Sequence, residues 1–182
     1  MSKIVVLASV TRSLLNFRGD MIRDWVNRGH TVITCGPESG FESEIQELGA
    51  SFRPVRLERT GLNPFKDLTY FFDLVKLFRK ERPDIVFSYT IKPVIYGSLA
   101  ASFCAVPEIF SMITGAGYAF EDGGNPLLKK TLHWLYRVAL KRNKGIIFQN
   151  PDNMNLFKKY NMVADGQDLH MVNGSGVNLE NF

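Results

Sequence analysis

Cysteine is scarce: the 182 residues hold only Cys35 and Cys104, far apart and without metal-ligand spacing. A disulfide-stapled scaffold is therefore excluded, and a reduced, cytoplasmic setting is the expectation. Histidine is as sparse. His30, His133 and His170 are separated from one another and from both cysteines, so each reads as structural, and no metal site is expected. No apolar run approaches the ~18–20 residues that a membrane span needs. The opening MSKIVVLASV reads as a buried strand and not as a leader. Phosphate-cradling glycine loops are missing too. The turn ASVTRSLLNFRG carries only Gly19 where a dinucleotide fold needs G-x-G-x-x-G, and no P-loop pattern occurs. A nicotinamide oxidoreductase and a nucleotide triphosphatase are thereby disfavoured.

What is present is globular composition: 45% apolar, 22% charged, 22 basic against 18 acidic side chains and a net charge of +4. That suits one domain with a sizeable core. Apolar runs of strand length alternate with helical stretches. Ile4–Ala8, Thr31–Thr34, Phe52–Leu57, Asp84–Ser88, Glu108–Ile113, Gly145–Phe148 and Leu169–Val172 read as strands. Between them Phe17–Arg28, Phe41–Leu48, a stretch from Asn63-Pro64 to Arg82, Val94–Cys104, Leu127–Arg142 and a stretch from Asn150-Pro151 to Tyr160 read as helices. The Asn-Pro pairs supply a capping side chain followed by a proline preset for the first turn. In the third helix Leu68, Phe71, Phe72, Val75 and Phe78 are the expected buried face. Such alternation predicts an α/β fold, a Rossmann-like doubly wound parallel sheet of about seven strands with helices on both faces.

Open parallel sheets bind ligands off the carboxyl ends of their strands. Those ends are rich in hydroxyls, amides, glycines and a few cations, with no closely spaced carboxylates, nucleophile elbow or histidine–cysteine cluster. A polyol or phosphate-bearing ligand fits them better than hydrolytic or metal chemistry. Thr11, Asn16 and Arg18 follow the first strand and are placed to anchor a phosphate or sugar near the first helix; alternatively Arg18 is a solvated helix charge. Tyr89 and Lys92 lie between a strand and the start of a helix, a natural anion site, although a lysine there can simply snorkel to solvent. Glu121 and Asp122 are either acceptors for hydroxyls or a solvated loop, and the glycosylation-like Asn173-Gly174-Ser175 is incidental in a cytoplasmic protein.

No acid occurs from Asn125 to Lys144, a stretch holding Lys129, Lys130, Arg137, Lys141, Arg142 and Lys144 beside Trp134 and Tyr136. Such a helix can rest on an anionic bilayer, with Lys129, Lys130, Trp134, Arg137 and Lys141 as contacts, while its apolar stripe packs on the sheet. An ordinary crossover helix has the same pattern. No nucleic-acid module accompanies the charge, so nucleic acid is not an expected partner.

The tail NGSGVNLENF, the helix and strand FRGDMIRDWVNRGHTVITCGP, and the segments SYTIKPVIYGSLAA and SMITGAGYAFEDGG together resemble the amino-terminal half of a family 4 glycosyltransferase of two-domain GT-B architecture. The last two segments are similar to the subgroup that extends bacterial surface-polysaccharide or lipid-linked oligosaccharides. The resemblance implies that residues 1–172 form the acceptor-side domain and 173–182 begin an interdomain linker, the donor-binding domain of the same chain lying beyond and this half alone being inactive. It implies sugar transfer from a nucleotide-sugar, with retention and no metal cofactor, to a polyprenyl-diphosphate-linked saccharide at the inner membrane face. Lys92 and Arg18 would hold phosphates; Tyr89, Thr114, Gly115, Gly117 and Tyr118 would shape the sugar pocket. Relatives carry a Gly-Gly loop after the first strand and a histidine after the fifth, where this chain has SVTRSLLNFRG and Thr114-Gly115. A non-catalytic subunit of a split transferase, or a standalone sugar-binding module, is the alternative.

Overall fold

The computed structural model describes residues 1–59, 63–115 and 126–176. Strands β1 (Lys3–Leu7), β2 (Thr31–Gly36), β3 (Ser51–Pro54), β4 (Ile85–Tyr89), β5 (Glu108–Ile113), β6 (Gly145–Phe148) and β7 (Leu169–Met171) form one sheet in the order β3-β2-β1-β4-β5-β6-β7. Every pairing is parallel, so each connection must cross over, and the helices α1 (Arg12–Asn27), α2 (Glu42–Glu47), α3 (Pro64–Glu81), α4 (Ile91–Phe103), α5 (Pro126–Leu140) and α6 (Pro151–Lys159) do so. The doubly wound α/β class expected from the alternation is the one observed.

The period-two geometry of β1 splits the core. Val5 and Leu7 face a layer built from α3 and α4 through Tyr70, Leu74, Phe78 and Ala101. Ile4, Val6 and Ala8 face the opposite layer, where Leu14 and Ile22 of α1 and Ile45 of α2 close over them. Further along the sheet Ile146 and Phe148 pack under α5 and α6 through Tyr136, Leu140 and Phe157. Burying each of these large side chains contributes roughly 1.5–3 kcal/mol. Two asparagines cap as the sequence suggested. Asn63 Oδ1 accepts from the Phe65 and Lys66 amides, and Asn150 Oδ1 accepts from Asn153.

Three expectations shift. The first helix begins at Arg12, well before Phe17, because the Thr11 amide and hydroxyl are pinned by Glu38 and leave no room for a longer loop. Asn16 and Arg18 therefore stand beyond the first helical turn and not at its end. The fourth helix starts at Ile91, which puts Lys92 inside its first turn, where Pro93 needs no amide partner. The buried face of the third helix is shifted in part: Val75 and Phe78 are buried as expected and Phe71 packs partly on the core, but Asp67, Tyr70 and Leu74 are buried as well, while Leu68 and Phe72 point outward, 52% and 57% exposed. Asp67 turns it, since its carboxylate is satisfied on the inside by Lys92 and Tyr96.

Gly36, at the end of β2, is where the β1–α1 turn comes closest. A Cβ there would sit 2.3 Å from Thr11 Oγ1 and 3.1 Å from the Thr11 Cα. Gly36→Ala is expected to lower the unfolding free energy by ~1–3 kcal/mol. A urea midpoint equal to that of the parent chain would show that this turn yields freely.

Candidate functional site

The chain reverses direction across the sheet between β1 and β4, because β1 leads to β2 on one side and β4 returns on its other side. Such a switch point opens a crevice at the carboxyl ends of the strands. Here the two strand ends are joined by a hydrogen bond from Thr90 Oγ1 to Ser9 Oγ, 2.9 Å. Thr90 holds φ +70° and ψ 159°, a conformation that costs a β-branched residue on the order of 1–3 kcal/mol. Its side chain does not cap α4. The helix's first amides, whose partners would lie beyond its end, remain open at this edge.

Two cavities flank the switch point. The smaller, about 270 Å³, is lined by Ser9, Arg59, Thr90, Lys92, Thr114 and Gly115. Lys92 is not a free cation in it. Its ammonium lies 2.6 Å from Asp67 Oδ1, the two side chains being 12% and 10% exposed, and Tyr96 donates to Asp67 Oδ2 at 3.1 Å. Burial, then the charge of Asp67 and this hydrogen bond, push the Tyr96 hydroxyl well above its ordinary pKa. Lys92 thus offers hydrogen-bond donors with its charge already balanced.

The larger cavity, about 700 Å³, is lined by Asn16, Arg18, Met112 and Ser175, with the charged side chains of Arg12, Arg23, Asp20, Glu44 and Glu47 also on its wall. Arg18 is 4% exposed, yet no carboxylate among the described residues lies within ion-pair distance. Its guanidinium lies over the Tyr89 ring, 4.9 Å from the centroid. Nη1 donates to the Phe17 carbonyl (2.8 Å), Nη2 to Met112 Sδ (3.0 Å) and Ser175 Oγ (3.3 Å), and Nε is buried without a partner. Burial lowers its pKa, partly offset by Tyr89. Gln149 Nε2 donates to the same Ser175 hydroxyl at 2.7 Å. The bonded partners of this buried cation are thus all neutral, and one of its donors is unspent.

The sequence-predicted residues separate accordingly. Lys92, Thr114 and Gly115 meet in the small cavity, and Asn16 and Arg18 in the large one. Tyr89 lines neither: 2% exposed, it bonds Ser13 Oγ at 2.8 Å and supports Arg18 from beneath, its hydroxyl pushed up to about 12 by burial. Thr11 is fully buried, and its hydroxyl is engaged by the Glu38 backbone as donor (2.9 Å) and acceptor (3.0 Å), so it is part of the turn and not of a cavity wall. Gly117, Tyr118, Glu121 and Asp122 lie outside the described residues. Ser9, Thr90 and Asp67 were not among the predicted site residues. Asp67 had a signal: an acid three residues before Tyr70 and seven before Leu74, on the same stripe of a helix. On α5, Lys130, Trp134 and Arg137 point outward, as does Lys141 just past the helix, while Lys129 is half-buried. No helix among the described residues is long and apolar enough to cross a membrane.

Residues 17–171 match the model of the glycosyl transferase 4-like domain. The N,N'-diacetylbacillosaminyl-diphospho-undecaprenol alpha-1,3-N-acetylgalactosaminyltransferase of Campylobacter jejuni is 26% identical over 99% of this chain and 48% of its own length. The UDP-Gal:alpha-D-GlcNAc-diphosphoundecaprenol alpha-1,3-galactosyltransferase of Escherichia coli is 30% identical over 73% of this chain and 33% of its own. The chain thus spans about half the length, or less, of the curated relatives it matches. A glycosyltransferase crystal structure from Rickettsia africae superposes with a TM-score of 0.68 at 16% identity, over 98% of this chain and 44% of that one, a likeness of fold.

The two cations make opposite predictions for stability. Lys92→Met strands a buried carboxylate and is expected to cost ~3–5 kcal/mol, most of it returned in the Lys92→Met/Asp67→Leu double variant. Arg18→Met removes a buried charge that has no ion-pair partner among the described residues and is expected to cost under ~1 kcal/mol or to stabilise. Equal losses in urea unfolding would reveal a counter-charge for Arg18.

Proposed function

The chain belongs to the glycosyl transferase 4-like family, and from that premise we infer that it is the acceptor-side half of a retaining glycosyltransferase. Its acceptor is a saccharide on a polyprenyl diphosphate, and its donor is a nucleotide-sugar held mainly by a second domain. The two curated relatives are named for undecaprenyl-diphosphate-linked acceptors and for α-1,3 linkages, which supports the acceptor class and accords with retention.

One observation carries the reading: Arg18, buried, cationic and without an ion-pair partner among the described residues, opens on the larger cavity. Asp20, Glu44 and Glu47 line the same cavity but make no ion pair with Arg18, and a diphosphate would give the guanidinium a directly bonded anionic partner, through charge-assisted hydrogen bonds worth more than neutral ones. Asn16 stands at the same wall to take a sugar hydroxyl. The smaller cavity has the chemistry for a saccharide: the hydroxyls of Ser9, Thr90 and Thr114, the open backbone at Gly115, and Lys92 as a donor already neutralised by Asp67. Tyr89 acts beneath, holding the guanidinium by its ring face. No side chain here is assigned as a general base, since retention of this kind requires none from the protein.

A lipid-linked acceptor brings the chain to a bilayer. The outward face of α5 supports this, since Leu127, Trp134 and Val138 are exposed there among Lys130 and Arg137, with Lys141 following. Each exposed Lys or Arg near an anionic surface contributes on the order of 1 kcal/mol.

The test is calorimetric titration of the chain with a short-chain prenyl diphosphate bearing one N-acetylhexosamine. Binding is expected, and Arg18→Gln is expected to weaken it at least about tenfold, the loss of a charged hydrogen bond of ~1.5–3 kcal/mol. Equal affinity for the free sugar and the diphosphate-linked one would overturn the reading. In vesicle flotation, Lys130→Glu/Arg137→Glu/Lys141→Glu is expected to abolish the part of binding to phosphatidylglycerol vesicles that about 0.5 M salt also removes; retention of that part would remove α5 from the membrane face.

A further inference from the structure

The outward face of α3 is unexplained by anything above. Phe65, Leu68 and Phe72 fall at spacings of three and four residues on one side of the helix, 80%, 52% and 57% exposed. Phe71 carries the patch on to Phe103 of α4, with ring centroids 5.3 Å from Phe72 and 6.1 Å from Phe103, itself 61% exposed. Isolated exposed apolar residues are ordinary, but a contiguous aromatic stripe marks an interaction surface.

The charges around the stripe select the occupant. Every acid of α3 is already spent: Asp67 on Lys92, Asp73 on Arg56 at 2.6 Å, and Glu81 on Arg53 at 3.3 Å. The bases that follow the aromatic residues on the outward side, Lys76, Arg79 and Lys80, have no ion pair among the described residues, and Arg79 lies over the Phe103 ring. An aromatic face rimmed by uncompensated bases repels a second copy of itself and attracts an anionic surface. The face also lies on the same side of the sheet as α5, since α4 packs against both helices.

We propose that α3 is the hydrophobic anchor of the domain, its Phe65–Leu68–Phe72 stripe entering the acyl boundary of an anionic bilayer while α5 contributes the electrostatic contact. This rests on the lipid-linked acceptor reading and adds to it a location. Asp67, between Phe65 and Leu68, reaches inward to Lys92 on the wall of the smaller cavity. The anchor therefore seats the lip of that cavity at the membrane surface, where the hydrocarbon chain of an acceptor has to leave it.

The experiment is flotation of the whole chain with vesicles of phosphatidylglycerol and phosphatidylethanolamine, at about 0.1 and 0.5 M salt. Apolar insertion survives salt that screens charge, so the parent chain is expected to keep a salt-resistant bound fraction. Phe65→Ser/Leu68→Ser/Phe72→Ser is expected to lower that fraction at least about tenfold with an unchanged thermal midpoint, and Phe65→Ser alone to lower it about threefold. The α5 charge reversals are expected to leave it in place. Salt-resistant binding equal to the parent's in the triple variant would overturn the proposal. So would a parent chain that ignores vesicles and sediments as a dimer that the triple variant dissolves. Flotation in a chain that fails to bind the prenyl diphosphate would keep the anchor and retire the acceptor reading; diphosphate binding without flotation would do the reverse.

Discussion

The carboxyl edge of this sheet is organised by the demand that β1 pair on both sides. Its residues are buried on both faces and hydrogen-bonded to β2 and β4, so the loops after β1 and β4 have to diverge over opposite faces. The crevice between them needs a bridge, which the Thr90–Ser9 hydrogen bond provides, and the strain at Thr90 is the cost of making it. Thr11 and Glu38 lock the other lip by holding the start of α1 against the end of β2. With both lips fixed by interactions internal to the protein, the side chains that remain over the crevice are free for something else.

Charge then distinguishes support from function. Buried ions are tolerated when a partner and hydrogen bonds compensate the loss of water, and Lys92 with Asp67 and Tyr96 meets that condition. Arg18 does not. It has a carbonyl, a thioether, a hydroxyl and an aromatic face, enough to orient a guanidinium and too little to neutralise it. Two cations that looked equivalent in one dimension therefore differ, one paired on the wall of the smaller cavity and the other held by neutral partners beside the larger.

The fold was legible because each strand is a short apolar run ended by a breaker, and because Asn63-Pro64 and Asn150-Pro151 announce their helices. Boundaries were misread where a tertiary contact overrode a local signal. Glu38 starts α1 at Arg12, and the open first turn of α4 absorbs Lys92 and Pro93. Of the site, the residue types at the strand ends were readable, since hydroxyls, amides and cations gather there whatever the details. What could not be read was pairing. Nothing local to Lys92 names Asp67, a residue 25 positions away, and nothing local to Arg18 shows that it forms no ion pair among the described residues. The same non-local pair shifted the buried face of α3, keeping Val75 and Phe78 in the core but leaving Leu68 and Phe72 on the surface.

That exchange ties the site to the surface. An aspartate on an otherwise apolar helix stripe can only face inward if a cation meets it there. Once Lys92 meets Asp67, the positions on either side of Asp67 along the helix, Phe65 and Leu68, are carried outward by the geometry of the α-helix. A helix that turned Phe65 and Phe72 inward as well would leave Lys92 without its counter-charge and the smaller cavity with an unbalanced cation. The aromatic face is thus the counterpart of a neutral cavity wall. The Asp67–Lys92 pair and the exposed Phe65–Leu68–Phe72 stripe lie on opposite sides of the same helix, and neither can be turned without the other.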